Sequence, residues 1–488
     1  MKGLGGMKIH AFFRPAHPEL VDGRAGNLQR AAGFGVARRC IALATLVLAL
    51  LLPHGAAAFS TAQEAELGRK FELEARAKLP LVDDIEVVGF VEEIGRKLVA
   101  TLGEQPFAYE FFVVRDGNVN AFAVPGGYIY LHTGLLTQVE NIDEIAGVLG
   151  HEVAHVHAHH LARQQEATRF LNYTTLLGML LSVVQPAIGA GALAVQAAVQ
   201  LEYRREFERE ADYLGARFMK AAGYEPIGML DFFKRLNARQ AAVLASGLPP
   251  YLMTHPLSAE RLTNLEAVLR QRQWDQRPRR DAGLELRRVQ LLAALASSQP
   301  ELIIQEQRKR ADAAPSDPQA HYLLGLALLS VGRFDTAAES LEKARDLGMP
   351  AIDRELGRVR FGQKRFPEAV DLLRAAVALA PDDPVAHHAL GRALEASQQS
   401  TAARAAFERA LVLAPRMQQA HRDLGMLAGR HGEEGLGFYH LGMSLVLRGD
   451  YPSAVRQFEQ ATKALPADSP LRQRIRAEFE TLGHEPRS

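Results

Sequence analysis

The sequence predicts an α+β domain with a small antiparallel sheet, followed by an all-α solenoid of helical repeats. Three observations carry that expectation. Between residues 109 and 132 the runs YEFFVVRD and NAFAVPGGYIYLH are rich in Phe, Tyr, Val and Ile. They are punctuated by Gly117 and by Pro125-Gly126-Gly127, as short paired strands are. The segment after them, GVLGHEVAHVHAHHLAR, has helical apolar spacing, with Ile145, Val148, Leu149, Val153 and Val156 forming a buried face. Further on, Gly325, Gly357, Gly391 and Gly425 recur about every 32 to 34 residues.

Composition narrows the classes. At 488 residues the chain should hold more than one domain, and 48% hydrophobic with 23% charged residues is ordinary for soluble protein. A net charge of +1 gives no reason to expect nucleic acid or an acidic partner.

Residues 1–58 read as a signal peptide with an N-terminal extension. Arg38 and Arg39 precede an apolar run from Ile41 to Leu52, and Ala56 and Ala58 give an A-x-A site with cleavage after Ala58. The run is too short to span a bilayer, and the long stretch before Arg38 points to Met7 or a later start. The single cysteine, Cys40, lies inside this leader, so the mature chain would have neither disulfides nor a thiol nucleophile.

A first domain is expected over residues 59–272. It opens with two helices, one carrying Leu67, Phe71, Leu73 and Leu79 and the other spanning residues 85–99. The sheet follows, and an edge strand of it could pair with an extended substrate. Then His151, Glu152 and His155 stand in HExxH spacing. Positions four apart on a helix share a face, so the two imidazoles can hold one zinc ion while Glu152 takes a proton from an attacking water. That is the chemistry of peptide hydrolysis. If the helix continues, His160 lies roughly 180° around from His151. The metzincin pattern also fails, with Ala158 and Leu161 where a Gly and a third His are needed. The third ligand must come from elsewhere.

Residues 170–201 carry no charge, and Pro186, Gly189 and Gly191 break them near the middle. A single crossing would put the flanking motifs on opposite sides of a membrane, so a hairpin on the protein or on a membrane surface is expected. In EYRREFEREADYLGARF, Glu208 and Asp212 are spaced i,i+4, which allows Glu208 to bind zinc while Asp212 orients a ligand histidine. On charge alone, Glu206 and Glu210 rival Glu208. A polar, proline-interrupted linker is expected over residues 273–283.

The repeat domain is expected over residues 284–480, with a tail at 481–488. Ala337, Ala369 and Ala403 follow the glycines at a fixed offset, Leu341, Leu373 and Phe407 fill the gaps, and Pro381 and Pro415 close units, which is the tetratricopeptide grammar. Gly442, Ala454 and Phe458 begin a further unit too soon after Gly425, so one helix is extra or one unit truncated. Residues 284–315 read as a degenerate first unit or a cap. Such arrays recruit partners.

HEVAH, then EREAD, then THPLSAER, in that order, resembles the zinc metallopeptidases that include HtpX and the CAAX-prenyl proteases. Within that group the leader, the NAFAVPGGYIYLHTGLL strands and the repeats are most similar to exported members acting in outer-membrane protein assembly. The resemblance implies an α+β zinc metalloprotease domain holding one zinc ion, with His151, His155 and Glu208 as ligands, Glu152 as catalytic base and Asp212 behind a ligand. Arg205 matches a family arginine, although Arg204 stands where the family commonly has Ser. His255 matches a family histidine close to the zinc, either stabilising the transition state or acting as a fourth ligand that holds the enzyme latent. The implied protein is a periplasmic zinc-dependent endopeptidase that acts on misassembled or stalled outer-membrane proteins, or on their assembly machinery, recruited by the repeats. An envelope chaperone or scaffold with a structural zinc is the alternative, and an intact Glu152 speaks against it.

Overall fold

The computed structural model describes residues 60–168, 205–242, 249–276 and 280–484. The expected signal peptide with its cleavage site, the apolar tract 170–201 and the last residues of the tail lie outside them. No described helix is long and apolar enough to cross a membrane.

The chain enters through α1 (Thr61–Lys78), which starts in a capping box: the Ser60 hydroxyl accepts from the Gln63 amide and the Gln63 side chain accepts from the Ser60 amide. Next comes α2 (Ile85–Val99), capped by Asp84. The sheet is built from β1 (Glu110–Val114), β2 (Ala121–Val124) and β3 (Tyr128–His132) in the order β1-β3-β2. The expected antiparallel sheet is in fact mixed. β2 and β3 form the antiparallel hairpin around Pro125-Gly126-Gly127, but β3 inserts between β2 and β1 and so runs parallel to β1. Strand composition predicts strands but does not order them, and here the order sets the direction.

Both faces of the sheet are covered. Phe111, Val113, Ala121, Ala123, Ile129 and Leu131 face the main core. Their alternates Phe112, Phe122 and Tyr130 stack as a ladder at 4.8 and 5.0 Å, with Phe71 of α1 set edge-on at 5.4 Å from Tyr130.

The main core is filled by α2 together with α4 (Ile142–His157), α6 (Arg205–Ala221), α7 (Ile227–Ala242) and α9 (Ala259–Gln271). Short helices α3 (Thr133–Leu136) and α8 (Pro250–Thr254), and α5 (His160–Thr168) beyond α4, complete this part.

The repeat region continues from α10 (Leu284–Ser297) and α11 (Pro300–Ala313) into helix pairs. These are α12 (Pro318–Ser330) with α13 (Phe334–Asp346), α14 (Asp353–Gly362) with α15 (Phe366–Leu379), and α16 (Pro384–Ala396) with α17 (Ser400–Leu413). The array ends in α18 (Gln418–Arg430), α19 (Glu434–Leu447), α20 (Tyr451–Ala464) and α21 (Pro470–Thr481). A Cβ on Gly325, Gly357 or Gly391 would stand 2.5 to 2.6 Å from Leu341, Leu373 or Phe407, so glycine is needed for each pair to close. The apparent extra helix is α19. It packs on α18 as a second helix, where Gly425 meets Leu441, and on α20 as a first helix, where Gly442 meets Phe458.

The described residues pack as one unit. Leu286, Val289 and Ala293 of α10 belong to the core of the first domain, so packing does not divide at the linker. Glu86 of α2 meets Arg288 at 2.6 Å and Arg354 at 2.7 Å, and both arginines also hold Glu355. Arg416 pairs with Glu110 and lies over the Phe112 ring. At the far end Tyr451 donates to the Leu73 carbonyl, Arg76 to that of Leu447 and Arg69 to that of Thr481. Between these attachments runs a cleft of about 920 Å³, lined in part by Asp83, Glu92, Arg288, Arg354 and Arg416.

Candidate metal centre

The centre is built on α4, whose first turn is capped by Asn141 accepting from the Glu144 amide. α6 crosses it closely. A Cβ on Gly215 would stand 2.9 Å from the Gly150 carbonyl carbon and from the His151 amide nitrogen, so a glycine pair lets the two backbones approach. This contact brings the Glu208 and Asp212 face of α6 onto the histidine face of α4. The third contribution comes from His255, the C-cap residue of α8, whose amide bonds back to the Tyr251 carbonyl and whose ring stacks on Tyr251 at 4.9 Å.

One donor atom each from His151, His155, Glu208 and His255 lies within 4.8 Å of the others, and all four residues are buried. His155 Nε2 is 3.1 Å from His151 Nε2 and 3.3 Å from Glu208 Oε1. His255 Nδ1 is 3.0 Å from Glu208 Oε1 and 3.3 Å from His151 Nε2. Burial opposes charge on His151, but the carboxylates of Asp212 and Glu208 outweigh it and push its pKa up to about 9. At His155 burial dominates and holds the imidazole neutral.

Glu152 is wholly buried, and burial raises its pKa. Its carboxylate oxygens make no close hydrogen bond, the Ala123 amide being the backbone donor nearest to acting on them, and its Oε1 is 3.6 Å from His255 Nε2. Glu208 Oε2 likewise lacks a hydrogen bond, although Arg261 lies in ionic contact with it at 2.5 Å. Two histidines and a carboxylate converging beside a buried carboxylate that makes no close hydrogen bond fit a divalent metal such as zinc with an attacking water next to it.

Residues 89–269 match the family model for peptidase family M48. The chain carries an M48 peptidase domain. Tetratricopeptide-repeat models match residues 307–352, 322–384 and 360–424. The chain is 34% identical over 217 residues to a putative beta-barrel assembly-enhancing protease of Vibrio cholerae, covering 43% of this chain and 44% of that one. The match to the beta-barrel assembly-enhancing protease of Yersinia pestis is 27% identical and covers 71% of this chain and 73% of the other. At 28% identity, 37% of this chain aligns with 52% of the mitochondrial metalloendopeptidase OMA1 of Schizosaccharomyces pombe. The chain thus spans under half the length of the Vibrio relative.

Within the M48 domain the structure separates the three candidate glutamates of α6. Glu208 points into the cluster, Glu206 is exposed, and Glu210 bonds His160 Nε2 at 3.1 Å and Arg163 at 3.0 Å. Asp212 Oδ1 lies 3.0 Å from His151 Nδ1. Arg205 is exposed at the start of α6.

Two neighbours of the centre went unassigned in the sequence. Arg261, buried in THPLSAER, makes paired 2.8 Å bonds to Asp212 besides its contact with Glu208. Its signal was there, since Ser258 caps α9 and fixes where Arg261 emerges, but an arginine in a first helical turn reads as surface. His160 is also fully buried. The helix expected to continue through it ends at His157, and His159 at φ 53° turns the chain so that His160 reaches back to His155. It remains outside the four-donor group.

Proposed function

We propose that this chain is an exported zinc-dependent endopeptidase that acts on misassembled outer-membrane proteins or on their assembly components and recruits them through its repeats. The observation that carries the reading is the buried group of His151, His155, Glu208 and His255 with the buried Glu152 carboxylate beside it. When bound there, zinc supplies Lewis-acid polarisation of a scissile carbonyl and of an attacking water.

The chain's own residues do the rest. Asp212 holds a proton on His151 Nδ1, which leaves the Nε2 lone pair for the metal. Glu152 takes a proton from the attacking water and delivers it to the leaving nitrogen, a role suited to a carboxylate whose pKa burial has raised. Among the described residues β2 pairs only with β3, so its other edge, beside α4, is the place for an extended substrate strand. His255 sits among the donors, a placement that favours a fourth ligand holding the resting enzyme latent over a transition-state role. The repeats and the names of the two bacterial relatives support the substrate class and an envelope location.

The test combines zinc content with casein cleavage, with and without chelator, for wild type and Glu152→Gln. Expected is one zinc per chain in both, cleavage abolished by chelator, and a rate about 10²- to 10⁴-fold lower in the variant. Cleavage that survives in Glu152→Gln would remove the base from this mechanism. Full zinc with no cleavage of any unfolded protein by wild type would favour a scaffold with structural zinc.

A further inference from the structure

Asp212 accounts for the orientation of His151, but His155 needs a counterpart. Its Nε2 faces the cluster, and its Nδ1 lies 3.0 Å from Nδ1 of His160. His160 Nε2 is in turn 3.1 Å from Glu210 Oε2, an oxygen that also accepts from Arg163 at 3.0 Å. The His160 ring is stacked flat on Phe207, with centroids 4.6 Å apart and planes at 11°, so it has little rotational freedom.

Hydrogen counting then fixes the row. An ionised carboxylate only accepts, so the proton on His160 sits on Nε2 and is donated to Glu210. Nδ1 of a neutral His160 is therefore bare and must accept. Two Nδ1 atoms at 3.0 Å form a hydrogen bond only if one carries a proton, so His155 holds its proton on Nδ1 and presents its Nε2 lone pair to the cluster.

We infer that His160, anchored by Glu210, is the positioning residue for His155, fixing its tautomer and ring plane for metal binding as Asp212 does for His151. This rests on the zinc reading above. The sequence gives both residues another appearance: His160 as a spare histidine, Glu210 as a rival ligand.

The experiment is zinc competition with a chromophoric chelator, using the full chain as wild type, His160→Phe, His160→Gln and Glu210→Ala, with far-UV circular dichroism as the check on folding. Phe keeps the stack on Phe207 but neither accepts nor donates. Gln does both. Removing a partner behind a ligand histidine weakens metal binding about 10- to 100-fold, which is the loss expected for His160→Phe. Glu210→Ala should lose about three- to tenfold, and His160→Gln should stay near wild type. Unchanged affinity in His160→Phe overturns the inference. So does a His160→Gln variant as weak as His160→Phe, because the loss would then come from packing. Should His160→Phe fail to fold, Glu210→Ala decides, since that side chain is 41% exposed and fills no core. There, wild-type affinity overturns the inference and a measurable loss supports it. A wild-type chain that binds no zinc would bring down the metal reading itself, a result distinct from any of these.

Discussion

Replacing Arg261 with Gln tests the electrostatics of the centre more sharply than replacing a ligand. The guanidinium is 5% exposed, forms two 2.8 Å bonds with Asp212 and touches Glu208 at 2.5 Å. Gln would leave two buried carboxylates facing each other across His151. Removing one member of a buried ion pair costs about 3–5 kcal/mol, most of it from the charge left behind. Zinc should give part of that back, because a cation returns to Glu208. The loss should therefore be at least about 1.4 kcal/mol smaller with zinc, which by linkage means that the variant binds zinc about tenfold more tightly. The assay is urea unfolding in chelator and in saturating zinc, together with direct zinc competition. An unchanged midpoint in chelator would show that Arg261 does not neutralise the pair. Equal losses in both conditions would sever it from Glu208.

Other outcomes follow from the same geometry. Glu208→Gln should lose zinc most severely, Glu206→Gln should not change retention, and Glu210→Gln should fall between them; metal analysis after gel filtration ranks the three. His255→Ala should raise basal casein cleavage if the side chain occupies a fourth position at rest, and unchanged kinetics would remove it from the mechanism. Far from the centre, burial and a nearby His421 lower the pKa of His440 to about 3, against about 6.5 when unfolded. A depressed histidine pKa means that the unfolded chain binds the extra proton as pH falls below 6.5, so stability is full above that value and declines toward 3. Between pH 7 and 5 this amounts to about 2 kcal/mol. His440→Asn should flatten that part of the urea-midpoint profile, and an unaltered slope would count against it.

The sequence made the centre legible where chemistry and helical periodicity coincide. His151, Glu152 and His155 declare themselves by spacing. Glu208 is singled out only when Asp212 and the family likeness are added. His255 lies about a hundred residues from His151, and no local pattern brings it there; likeness alone did. An unbroken helical period misplaces His160, because the left-handed backbone of His159 ends the helix before it. The strands showed in their period of two, whereas the insertion of β3 beside β1 is a long-range choice that composition does not encode. The repeats were plain from their glycines. Their return onto the first domain was hidden because Glu86, Arg288 and Arg416 look like solvated charges until the two surfaces meet.

That return has a mechanical consequence. A free helical array is a spring, anchored at one end, whose curvature changes at the small expense of sliding neighbouring pairs. This one is fastened at both ends and in the middle: α10 is rooted in the core, Arg416 is held at Glu110, and Tyr451 is tied to the backbone of α1. It behaves as a truss rather than a spring. Straightening it would pull α10 out of the core and break the Arg416–Glu110 pair and the Tyr451 bond to the Leu73 carbonyl together, so the curvature of the array is set by the chain itself.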